Sequence, residues 1–116
     1  NYRIMDTKYL FFATGDGMDA ATDSVIYPLS SFRGMVPASA TQIRMFFDPI
    51  TITDVAAGDM VDIVGITFAS GNYLTVATAI IDFINSSSPG IVKICDADNS
   101  VFCSNLITDC AITLAA

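Results

Sequence analysis

Val61-Asp62-Ile63-Val64-Gly65-Ile66-Thr67-Phe68-Ala69 is the stretch on which the fold turns. Val, Ile and Phe crowd it, and β-branched and aromatic side chains suit a pleated, buried surface. The segment is apolar on both faces, and a strand of that kind needs cover on both sides. Gly65 in its middle predicts a bulge or the close approach of another backbone.

Reading towards the C-terminus, Leu74, Ala77, Ile81 and Ile84 recur at helical spacing, and Tyr73, Val76, Ile80 and Phe83 widen the stripe. These positions predict one helix over 74–85, started by Asn72 or Gly71 and ended by the turn Asn85-Ser86-Ser87-Ser88-Pro89-Gly90. A strand follows over 91–95, then a turn over 96–100, a short strand over 100–103, and a last strand over 107–114 with Cys110, Ile112 and Leu114 facing one way. The strand–helix–strand order over 61–95 allows one crossover. Towards the N-terminus, a strand over 9–14 is again apolar on both faces and breaks at Gly15-Asp16-Gly17. A short strand over 24–27 ends at Pro28. Residues 29–37 read as a loop carrying Phe32, Met35 and Val36. Ile43, Met45 and Phe47 share one face of a strand over 42–47, which Pro49 closes. Residues 51–53 read as a short strand and 55–59 as a turn.

The count is about six to seven short strands and one short helix. The fold class is mainly β (α+β), a single domain over 1–116: a small antiparallel β-sandwich or barrel-like sheet with the helix packed on it.

Composition narrows the function. Hydrophobic residues make up 53% of the 116 and charged residues 15%, against a usual charged share of about 25%. All twelve acidic residues are Asp, and there is no His. Without His there is no Ser-His or Cys-His pair, no imidazole acid–base step and no His zinc site. No G-x-S-x-G, phosphate loop or dinucleotide fingerprint occurs. We therefore expect a protein that is not an enzyme, with no catalytic residues, no cofactor and no resident metal. Five scattered Lys and Arg in a chain of net charge -7 argue against nucleic acid. No apolar run approaches the ~18 residues of a membrane span, and 10–13 is too short for the apolar region of a secretory signal. A mean hydropathy of +0.57 in so small a domain points to self-association or docking on a larger assembly.

Three features invite a chemical reading. Asp16-Gly17-Met18-Asp19 with Asp23, and Asp96-Ala97-Asp98-Asn99, place carboxylates in turns, as a Ca²⁺ site would. The EF-hand pattern fails at Met18 and Ala20, and capping of tight turns accounts for both groups. Cys95, Cys103 and Cys110 match no metal or redox spacing. A Cys95–Cys110 bridge joining two neighbouring strands is one reading; three small buried apolar residues in a reducing cytoplasm is the preferred one. Phe32, Arg33 and Met35 are residue types enriched at protein interfaces, and Arg33 has the chemistry to pair with an Asp of a neighbouring subunit.

The order of elements carries a resemblance: the Tyr-Leu-Phe-Phe strand, then Val25-Ile26-Tyr27-Pro28-Leu29-Ser30-Ser31-Phe32-Arg33-Gly34, Thr41-Gln42-Ile43-Arg44-Met45-Phe46-Phe47, Asp62-Ile63-Val64-Gly65-Ile66-Thr67-Phe68, the helix and the closing strands. This resembles small virion structural proteins of marine tailed phages, some of them capsid decoration proteins. The resemblance implies a non-enzymatic virion protein. It would be a capsid decoration (cement) or related head component, assembled in the host cytoplasm as repeated copies. Its partners would be itself, as a homo-oligomer, and a major capsid or other virion protein. The competing expectations are a self-assembling filament or surface-layer subunit with an oxidised Cys pair, and a small Ca-dependent ligand-binding module.

Overall fold

Residues 62–68 form the interior of a sheet. In the computed structural model, which describes residues 7–50 and 61–115, β5 is Asp62–Phe68, bonded on one side to β4 (Gln42–Phe47) and on the other to β8 (Ile107–Thr113). The strand and turn expected at 51–53 and 55–59 lie outside the described residues. β3 (Phe32–Ser39) completes this sheet in the order β3-β4-β5-β8. A second sheet runs β2-β1-β6-β7, from β2 (Ser24–Pro28), β1 (Lys8–Ala13), β6 (Gly90–Asp96) and β7 (Val101–Phe102). Two sheets and one helix, α1 (Tyr73–Ser86), enclose one core, so the fold is mainly β and sandwich-like.

Strand periodicity explains the core. Ile43, Met45 and Phe47 from β4 and Val64, Ile66 and Phe68 from β5 point inward against Leu10 and Phe12 of β1 and Val92 and Ile94 of β6. Phe47 is the central ring. It stacks on Tyr27 at 4.2 Å between centroids and meets Phe12 edge-on at 5.7 Å, contacts worth about 0.5–1.5 kcal/mol each beyond burial.

Five expectations need correction. There are eight strands among the described residues, rather than six or seven. Pairing is not antiparallel throughout, because β1 and β6 run parallel. The strand–helix–strand unit is no crossover within one sheet: α1 carries the chain from β5 in one sheet to β6 in the other. Gly65 is neither a bulge nor a backbone contact. The β4 register runs through it unbroken, and a Cβ there would stand 2.9 Å from the Gln42 side-chain amide. Of the loop expected over 29–37, residues 32–37 belong instead to β3, Phe32–Ser39. The strand pairs with β4 through six positions, interrupted only between Phe32 and Gly34 and between Pro37 and Ser39, which outweighs the weak β preference of Gly34 and Pro37.

The helix ends are held in ways the sequence did not predict. Asn72 is the N-cap residue, but its side chain makes no bond to the first turn; its Nδ2 donates to the carbonyls of Ala69 and Ser70. At the other end, Lys8 Nζ reaches across from β1 to donate to the Ile84 carbonyl at 2.6 Å, a cation on the negative end of the helix dipole.

Asp62 joins the sheets. It is 0% exposed. Its Oδ2 accepts from Tyr27 Oη of β2 at 2.7 Å and from the Ile50 amide at 3.1 Å, while Oδ1 accepts from the Ala115 amide at 2.7 Å. Burial, and then the facing carboxylate, push the Tyr27 hydroxyl well above its ordinary value of 10.0. A group kept protonated in the native state contributes stability that is complete below its unfolded value and is lost as pH rises past it. We predict that stability falls above about pH 10 more steeply in the native chain than in Tyr27→Phe, by about 1.4 kcal/mol per pH unit. Urea titrations across that window would show it, and equal slopes would contradict it. At neutral pH Tyr27→Phe costs about 1–3 kcal/mol, because Asp62 loses a donor.

Candidate docking groove

β3 is an edge strand, with β4 on one side and no described strand on the other. Its register slips between Phe32 and Gly34, leaving Arg33 as the extra residue of a bulge. Gly34 adopts φ +133°, a backbone state that side-chain-bearing residues rarely occupy. The bulge bends the edge, a common protection against pairing with another sheet. Phe32 and Met35 are left half-buried against the core, Phe32 at 5.5 Å from the Phe47 ring.

Facing them is α1. Val76, Ile80 and Ile84 are its buried stripe. Leu74, Ala77, Thr78, Ile81 and Asp82 form a second stripe beside it, and together with Phe32, Gly34 and Met35 they line a groove of about 420 Å³. Leu74 is 72% exposed. The only polar side chains in this lining are the Thr78 hydroxyl and the Asp82 carboxylate. Such a surface suits packing against apolar groups.

Two of the three predicted interface residues, Phe32 and Met35, therefore lie in one apolar wall. Arg33 does not line it. Its Nε stands 3.7 Å from Asp48 Oδ1 of its own chain, both side chains exposed, a pair worth about 0.2–1 kcal/mol at most. Leu74 and Ile81 were read as part of the core stripe and are groove residues instead. The clue was present: apolar residues cover more of α1 than one core-facing stripe needs.

A second apolar surface lies on the outside of the β1 sheet. The registers set Tyr9 beside Pro28 and Ile91, and Phe11 beside Ile26 and Lys93. Tyr9, Ile26 and Ile91 are exposed there.

The acidic turns are occupied by their own backbones. Asp23 Oδ2 accepts from the amides of Asp19 and Ala20. Asp96 Oδ1 accepts from the Asn99 amide and its Oδ2 from Asn99 Nδ2. Among the described residues no group of three or more His, Cys, Asp or Glu is placed to hold a metal ion. No described helix is long and apolar enough to cross a membrane. All three cysteines are free thiols, Cys95 and Cys110 buried and Cys103 half-buried.

No family model, curated protein or solved structure matches the chain.

The backbone of Gly34 makes a direct prediction. A Cβ there would meet nothing within 4 Å, so a substitution costs backbone strain alone. Gly34→Ala is expected to lower stability by about 1–3 kcal/mol in chemical denaturation. An unchanged midpoint would show that the bulge relaxes freely.

Proposed function

We propose that the chain is a non-enzymatic structural subunit that works by packing against other protein surfaces in repeated copies, in the form of a virion component such as a capsid decoration protein. The observation that carries the reading is the groove between β3 and α1, an apolar lining in which Leu74 and Ile81 stand exposed. Monomers seldom leave contiguous apolar surface open without a use for it. The Arg33–Asp48 pair places a polar rim beside that surface, the arrangement interfaces favour. The resemblance in element order gives the proposal its viral form, its localisation in the virion and its second partner, a major capsid or other virion protein. The engaged carboxylates of Asp23 and Asp96 weigh against Ca²⁺-dependent ligand binding.

The test is the state of association in solution. The native chain should scatter light as an oligomer at micromolar concentration. Leu74→Asp should drive it to a folded monomer that unfolds cooperatively, because an exposed substitution shifts the subunit's own stability by no more than about 0.5 kcal/mol. A monodisperse native monomer, encoded away from portal, capsid and tail genes, would defeat the proposal.

A further inference from the structure

We propose that Cys95 and Cys110 are a modification site, a dithiol that closes into a disulfide and fastens one sheet to the other. Cys95 lies on β6 and Cys110 on β8, so they are not on neighbouring strands of one sheet but on strands from opposite sheets. Stacked sheets normally stand about 10 Å apart. Here β6 and β8 bring Cα atoms within 8 Å, as do β1 and β8. A disulfide spans about 4.4–6.8 Å between Cα atoms, so this corner of the sandwich approaches that reach.

One contact places the Cys110 sulfur, and strand register places Cys95 beside it. Cys110 Sγ donates to the Ala13 carbonyl at 3.3 Å. Ala13 follows Phe12, and Phe12 is the register partner of Cys95 on the adjoining parallel strand. Cys95 and Cys110 are both buried in the one core, at 0% and 4% exposure. Cys103 is the competitor. β7 sets Phe102 opposite Cys95, and the Cys103 amide bonds the Ile94 carbonyl, so its backbone is one position out of step with Cys95.

The chemistry requires an oxidant, here a small disulfide such as oxidised glutathione. One protein thiol loses its proton and attacks a sulfur of the oxidant, forming a mixed disulfide and expelling one thiolate. The second protein thiol loses its proton, attacks the protein sulfur of that mixed disulfide and expels the other thiolate. The oxidant takes two electrons, its two thiolates take two protons, and the S–S bond forms between Cys95 and Cys110. The attacking species is the thiolate. The neighbouring Cys110 thiol and burial push Cys95 up, and burial pushes Cys103 up to about 11. Closure in the folded chain is therefore slow at neutral pH and accelerates as pH rises. Closure during folding, before the corner is buried, is faster.

The full chain should be reduced, unfolded, and refolded with and without oxidised glutathione, then alkylated in denaturant and mapped by mass spectrometry. We expect a single alkylated thiol, Cys103, a linked pair of peptides containing Cys95 and Cys110, and a melting temperature raised by roughly 10 °C that dithiothreitol reverses. Cys103→Ala should form the same bridge, and Cys110→Ala should form none. Because the pairing is read in the native chain, misfolding of a variant leaves the result intact. Three alkylated thiols, a bridge that includes Cys103, or a bridge that leaves the melting temperature where it was would each overturn the proposal.

Discussion

The Asp62 carboxylate is the constraint around which the two sheets are arranged. A buried carboxylate is costly unless every lone pair it presents finds a donor. Asp62 finds three, from segments that are distant in sequence: Tyr27 on the opposite sheet, Ile50 just beyond β4 and Ala115 just beyond β8. These bonds fix more than local geometry. The Tyr27 hydroxyl sets how far β2 stands from β5, and that spacing lets the Tyr27 ring lie within 5° of parallel to Phe47. Phe47 in turn contacts Phe12 and Phe32, so the aromatic centre and the inner wall of the groove both depend on the same carboxylate. A shifted sheet would leave a charge and up to three donors unpaired, which discriminates against alternative packings more sharply than apolar contacts do.

The sequence was most legible where periodicity and turn chemistry agreed. β4 has the predicted bounds, 42–47, because its alternation is strict and Pro49 lies just beyond it. α1 exceeds the predicted 74–85 by one residue at each end. Legibility failed where pairing partners decide the structure. β3 carries Gly34 and Pro37 and has no clean alternation; it is a strand because β4 offers partners to six of its residues. The parallel pairing of β1 with β6 is a tertiary fact, set by where α1 delivers the chain. Asp62 was overlooked although its position announced it: it shares parity with Val64, Ile66 and Phe68, so the residue had to face the core. Phe32 and Met35 were found by residue type, and their groove partners Leu74 and Ile81 were not, since a stripe on a helix does not say which neighbour it meets.

Parallel pairing also explains how the charge is distributed. β1 and β6 run the same way, so the turns that follow them lie at one end of their sheet. Asp16, Asp19 and Asp23 follow β1, Asp96 and Asp98 close β6, and Ala97 donates to the Ala13 carbonyl between the two turns. Five of the twelve acidic residues thus collect at one pole, although the sequence holds them more than 70 positions apart. Apolar surface collects elsewhere, in the groove and on the outer face around Tyr9, Ile26 and Ile91. Concentrated carboxylate repels its own kind and holds water, while the apolar faces favour contact. In the proposed structural role, copies would meet most favourably through the apolar faces with their acidic poles apart, so the polarity of charge would orient each copy as well as keep it hydrated.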